Sequence, residues 1–131
     1  MNLFKKTHFY VKIYFNKIEI TNLDTAETIT KSAIEKFSTK RIVIANFNIA
    51  ELLLREGFNE LKTKKGFLPL GHEVLMQQME EFEDGISEIE KRALRDMAEQ
   101  AGAMKVFLIL ETKKISVEEA MNGLKNEEFS R

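Results

Sequence analysis

The stretch from Gly85 to Leu110, GISEIEKRALRDMAEQAGAMKVFLIL, limits this chain to few architectures, because it reads as a helix, a glycine stop and a buried strand. Ser87 with Glu90 three residues on makes the capping box S-x-x-E, which satisfies two of the amide donors left open at a helix start. Ile89, Ala93, Met97 and Ala101, with Leu94 and Ala98 beside them, form an apolar stripe at helical spacing. Gly102 can adopt the left-handed conformation that ends a helix. Val106 to Leu110 is then an unbroken apolar run, the pattern of a strand covered on both faces. A helix feeding such a strand is half of a parallel α/β unit, so Glu73–Met79 (EVLMQQM) is expected to be its parallel neighbour, with the helix from Glu88 to Ala101 as the crossover.

The amino-terminal third has a different period. Phe9, Val11, Ile13 and Phe15 alternate with Tyr10, Lys12 and Tyr14, which is the signature of a half-buried strand. Asn16-Lys17 can turn, Ile18–Thr21 repeats the alternation, and Ala26–Thr30 is a plausible third strand of an antiparallel meander. Lys31–Lys40 reads as a connector or short helix, and Arg41–Ala45 (RIVIA) as a strand candidate. Asn48 is placed to cap a helix with Glu51 at its third position, and Phe47 to staple onto Leu52. Gly57 costs about 1 kcal/mol inside that helix, so it predicts close packing against a neighbour. Thr63–Gly66 should end the helix, and Pro69 should keep the following stretch irregular. Ser116 and Glu119 form another capping box before a short helix, Val117–Lys125, and residues 126–131 read as a frayed tail.

The 131 residues are read as one domain, large enough for a core. A formal charge of −1 offers no global field for nucleic acid. The absence of cysteine excludes a disulfide framework and thiolate metal sites. No apolar run approaches the roughly 18 residues of a membrane-crossing helix, and the start lacks the apolar core and cleavage site of a signal peptide. A cytoplasmic location is the expectation. Leu3, Phe4, Lys5 and Lys6 could touch a membrane, but two apolar residues bury too little area to anchor the chain alone.

The run GISEIEKRALRDMAEQAGAMKVFLI resembles the segment of MreB-type bacterial actins in which a glycine-led turn, an E-x-x-x-R-rich helix, an A-G-A stop and a V-(F/Y)-L-I strand follow one another. The preceding IANFNIAELLLREGF resembles that family's entry into its first helix, so the likeness covers about half the chain, roughly Ile44–Leu110. The short MreB-related rod shape-determining proteins are the nearer comparison. The resemblance implies a ribonuclease-H-like fold of the actin subdomain IA type: an α/β, mixed five-stranded sheet in the order 3-2-1-4-5 with helices packed on it. It also implies a role in the cytoskeleton or cell shape.

Nucleotide-binding members of that family join their first two strands by D-x-G-T-x-(N/T), whose backbone N–H groups approach phosphate. Here the junction is Tyr14-Phe15-Asn16-Lys17, without glycine or acid. The family's later phosphate and adenosine motifs have no counterpart, and its E-E-P-M-A-A-A segment becomes Glu111-Thr112-Lys113-Lys114. ATP hydrolysis needs these parts together. The expectation is therefore a non-catalytic interaction module with no cofactor, metal or nucleotide. Its partner would be a full bacterial actin, a cell-envelope complex or a second copy. Two alternatives stand beside it: a degenerate nucleotide-binding regulatory domain completed by a partner chain, and a structural homodimerisation domain.

Other polar groups read first as ordinary structure. Glu80, Glu81, Glu83 and Asp84 lack Ca²⁺-loop spacing and favour the following helix N-terminus. His8 and His72 have no serine or acid at a triad spacing. Two surfaces remain as candidate interaction sites. One is the edge strand, through Ala26, Thr28 and Thr30, where only Glu27 is charged and the threonines favour pairing. The other is the mixed-charge helix face of Glu88, Arg92, Arg95 and Glu99, whose i,i+4 pairs alternatively form a solvated face.

Overall fold

The computed structural model describes residues 4–61 and 68–131. In chain order the elements are β1 (Phe4–Tyr14), β2 (Lys17–Asn22), β3 (Thr28–Ser32), α1 (Phe47–Leu61), β4 (Leu68–Gln78), α2 (Glu88–Gln100), β5 (Ala103–Ile109) and α3 (Val117–Lys125). The strands form one five-stranded mixed sheet ordered β3-β2-β1-β4-β5, the order expected above. β1–β2 and β2–β3 are antiparallel, whereas β4 is parallel to both β1 and β5.

The period-two pattern of β1 sorts its side chains onto two cores. Phe9, Val11 and Ile13 face α1 and α2, where Leu54, Phe58, Leu94 and Met97 are buried. Tyr10 joins Leu75, Phe107 and Ile109 beneath Ala120 and Leu124 of α3. β5 contributes to both cores in alternation, with Val106 and Leu108 on the first and Phe107 and Ile109 on the second. A continuous apolar run is the sequence such a doubly covered strand requires.

The capping boxes form at both predicted places: Ser87 with Glu90 opens α2, and Ser116 with Glu119 opens α3. Gly102 has φ +117°, the left-handed stop expected of it. Other boundaries differ. Asn46, not Asn48, starts α1, its Oδ1 accepting from the Ile49 amide at 3.3 Å. Residues 41–45 are no strand; they fold back on residues 37–39 through Thr39 N–Ile42 O and Ala45 N–Phe37 O, at 2.8 and 2.7 Å. Pro69 lies inside β4, next to Lys5 of β1, near the strand start where a missing N–H is tolerated. Ile89 leaves the apolar stripe and is 82% exposed.

Residues 126–131, read from the sequence as a frayed tail, turn back onto β5. The Leu108 amide donates to the Ser130 carbonyl at 2.6 Å in an antiparallel bridge. The expected helix end at Thr63–Gly66 and the side chains of the amino-terminal Leu3–Lys5 lie outside the described residues.

Candidate functional site

In a parallel α/β sheet, chemistry gathers at the carboxyl ends of the strands. Here β1, β4 and β5 end together at Tyr14, Gln78 and Ile109. The tight β1–β2 turn holds Asn16 at φ 55°, a conformation asparagine tolerates better than most side chains. Asn16 then organises the neighbouring loop: its Oδ1 accepts from the amides of Phe37 and Ser38, at 2.9 and 2.8 Å. Its own amide donates to Ser38 Oγ at 3.0 Å. The Phe15 amide donates to the Glu80 carboxylate at 2.9 Å. The turn's amides are thus already spent on protein acceptors.

Beside this turn, a cleft between the ends of β4 and β5 is lined by Gln78, Glu80, Glu81, Phe82 and Glu111. Glu81 also accepts from Thr112 Oγ1 at 3.2 Å. Glu80 and Glu81 therefore brace the β1–β2 turn and the chain after β5. Lys36 and Lys40, with Phe15 and Asn16, line a separate depression.

Deeper in the α3 side of the sheet, the Tyr10 hydroxyl donates to Gln77 Oε1 and accepts from the Ile115 amide. Gln77 Nε2 donates to the carbonyls of Glu111 and Lys113 at 2.9 and 2.8 Å. Burial pushes the Tyr10 pKa up, so the phenol stays protonated as this donor role requires. Both members are satisfied, and the network pins the irregular segment between β5 and α3. Nearby, Lys12 is buried, pairs with Glu19 at 2.8 Å and lies 4.1 Å from the Tyr10 ring centre.

Neither histidine builds a triad. His8 Nδ1 lies 3.0 Å from Asp24 Oδ1, and its Nε2 4.0 Å from Glu73, which also pairs with Lys6 at 3.3 Å. That cluster lies mid-way along β1 and β4, where His8 and Glu73 are paired, beside the start of β5. His72 is wedged against Phe9 and Phe58, with ring centres 5.0 and 5.1 Å away. Burial lowers its pKa from 6.5. Among the described residues no group of three or more acidic or histidine side chains is arranged to hold a metal ion.

The two surfaces singled out in the sequence lie apart in the chain and differ in state. On the first, Thr28 and Thr30 belong to the edge strand β3, but Ala26 does not. Ala26 has φ 66° and its amide donates to the Asn22 carbonyl at 2.7 Å, closing the β2–β3 turn. The strand runs on instead to Ser32, extending the alternation Thr28, Thr30, Ser32 that the sequence carried. On the second surface, Glu88 pairs with Lys91 three residues on, at 3.0 Å, rather than with Arg92. That contact lowers the Glu88 pKa. Arg95 donates to the Arg131 carbonyl at 3.0 Å, tying α2 to the chain end. Arg92 and Glu99 are exposed, and exposed Ile89 lies beside Glu88, Arg92 and Arg95 in a shallow depression. Sequence reading also missed Arg55, which joins Glu51 of its own helix to the Gln100 carbonyl at the end of α2. Nothing in the spacing pointed to that long-range contact.

Over 100 residues this chain is 31% identical to the uncharacterized protein YjaA of Escherichia coli strain K12, an overlap of 73% of this chain and 77% of that one. It belongs to the YjaA family. No protein-family model matches the chain. The membership carries no activity with it, so function rests on the surfaces just described. Among the described residues no helix is long and apolar enough to cross a membrane.

Proposed function

We propose that this chain is a non-catalytic, actin-like interaction module with a ribonuclease-H-like core. Its nearest kinship would be with MreB-related rod shape-determining proteins, and it would act in the cytoplasm by binding protein. The sheet order β3-β2-β1-β4-β5 is compatible with that core. The observation that carries the non-catalytic reading is the contact between the Phe15 amide and Glu80. In a phosphate-binding turn, such amides must be free to meet an anion. Here a carboxylate of the same chain takes that place, and Glu81 and Glu111 line the adjoining cleft. An incoming triphosphate would have to displace one negative charge and lie against others.

The test is thermal unfolding with and without Mg-ATP or Mg-GTP, alongside a hydrolysis assay. A nucleotide at about a hundred times its Kd adds roughly 2.7 kcal/mol to a folded state that binds it. The expected result is an unchanged melting temperature at millimolar nucleotide and no hydrolysis above a buffer blank. A saturable rise in melting temperature would replace this reading with the nucleotide-binding regulatory domain. Turnover that co-purifies with the chain and is lost on substituting Glu80 or Asn16 would make it an enzyme.

A further inference from the structure

Resting on the interaction-module reading, the geometry of β3 points to its occupant: we propose that two copies of this chain pair their β3 strands antiparallel about Ile29, giving one continuous sheet. β3 ends the strand order and has no outer neighbour among the described residues. Which of its groups face outward follows from the bonds flanking the β2–β3 pair. Asn22 N donates to Glu27 O at 2.8 Å, and Ala33 N to Asn16 O at 2.9 Å. Hydrogen-bonded pairs alternate along an antiparallel ladder, so with the observed register Ile29 and Lys31 also turn their amides toward β2. The N–H and C=O groups of Thr28, Thr30 and Ser32 are then left pointing off the sheet. No proline interrupts them, and threonine suits a strand.

Three symmetric registers let two or more of those outward groups meet, centred on Ile29, Thr30 and Lys31; about Lys31, that lysine would face its own copy and Glu27 would face Glu35, like charge against like. About Thr30, Ile29 would face Lys31 and Glu27 would face Ala33, with no charge matched. About Ile29, Thr28 faces Thr30 of the second copy, each pair exchanging both backbone bonds. Ile29 faces Ile29, and Glu27 faces Lys31 twice. Those last pairs are of the non-hydrogen-bonded kind, in which opposing side chains come closest. Charge complementarity therefore selects the Ile29 register. Ala26 at φ 66° ends the pairing one residue beyond Glu27. Glu27 is exposed and has no ion pair among the described residues, while Lys31 reaches Glu60 at 3.1 Å on a half-exposed carboxylate. Both charges are thus placed to be shared across the strand.

The experiment is sedimentation of the full chain over a concentration series, with Glu27→Lys, Lys31→Glu, their equimolar mixture and the double exchange. Wild type should dimerise. Each single substitution puts like charges opposite twice and should weaken the dimer about tenfold or more. The mixture restores both opposite-charge pairs across a heterodimer, and the double variant restores them in a homodimer; both should recover the wild-type affinity. Melting by circular dichroism separates these effects from loss of the Lys31–Glu60 contact, and Glu27→Lys disturbs no ion pair among the described residues. A wild-type chain that stays monomeric up to about 100 µM, weaker than most specific dimers, overturns the proposal. So does a dimer indifferent to either single substitution, or one that the mixture fails to restore. None of these outcomes touches the nucleotide test, on which the interaction-module reading stands or falls separately.

Discussion

Gly57 sits in α1 where the helix crosses β2 and β3, and alanine there poses two opposed effects of similar size. A Cβ at Gly57 would lie 2.0 Å from Ile20 Cδ1, 3.5 Å from Ile20 Cγ1 and 3.7 Å from Ile29 Cδ1. Replacing glycine by alanine in a helix interior gains about 1 kcal/mol. Against that, Ile20 is completely buried and its terminal methyl would have to move by more than an ångström. Overpacking of this kind costs about 1–3 kcal/mol. Gly57→Ala is therefore expected to be neutral to destabilising by about 2 kcal/mol, the difference of those terms. Ile20→Val deletes the offending methyl and alone should cost about 0.5–1.5 kcal/mol. In the double variant the new Cβ enters the space that Cδ1 leaves, so the pair should recover wild-type stability, a favourable coupling of about 1–3 kcal/mol. Urea unfolding of the four proteins gives the cycle, provided the m-value stays constant. If Gly57→Ala alone raises stability by the whole helical gain and the two changes simply add, the close approach of α1 to β2 is wrong.

Met97→Ala should cost about 2–5 kcal/mol in the same assay, because its side chain is fully buried between α2 and the sheet; a change of tenths would put that face at the surface. His72 predicts acid sensitivity. Its Nδ1 is buried without a hydrogen-bond partner among the described residues, and burial lowers its pKa below 6.5. The unfolded chain then binds a proton the folded chain refuses, so this contribution is complete above pH 6.5 and declines as pH falls toward the folded pKa, by at most about 1.4 kcal/mol per pH unit. His72→Leu should flatten the stability profile between about pH 7 and 5, above the range where carboxylates titrate, and an unchanged slope would place the sensitivity elsewhere.

The features legible in the sequence are those fixed by neighbours in the chain. The two S-x-x-E boxes and the glycine after α2 each act over a few residues, and each is present at its predicted position; the alternation of β1 sorts its two faces, but the strand is buried on both, Tyr10 and Lys12 as well as Phe9 and Val11, not half-buried as its pattern suggested. Gly57 was legible too, because a glycine inside a helix needs a packing reason. Where expectation and structure part, contacts that the residue pattern does not encode decide. Arg41–Ala45 has strand composition, but no strand receives it; Val43 is buried while the backbone bonds to Phe37 and Thr39. Ala26 suits a strand by alternation, yet the β2–β3 register needs it in the turn. The carboxyl terminus looked loose because its anchors, Arg95, Leu108 and Gly123, lie elsewhere in the chain. For the candidate surfaces, the residues of the edge were readable, but the direction of its free amides follows only from the β2–β3 register.

The two sheet edges together set what kind of assembly edge pairing can build. An exposed edge invites strand addition, and natural proteins cover or charge it. On β5, residues 127–131 do part of this: Ser130 receives the Leu108 amide, the Arg131 carbonyl accepts from Arg95, and Lys105 pairs with Glu127 at 3.3 Å alongside. Phe129 packs so closely on Gly123 that a Cβ there would lie 2.1 Å from its ring, so the tail depends on a glycine in α3. Among the described residues Leu108 is the one β5 residue bridged in this way; in the proposed dimer, β3 of one copy meets β3 of the other. Such a contact is isologous and closes at two, whereas β3 pairing with a bare β5 would be heterologous and could propagate. In the dimer proposed above, the bridge at Leu108 and the packing of Phe129 then stand against heterologous addition at β5, so the expected end point is two copies rather than a longer assembly.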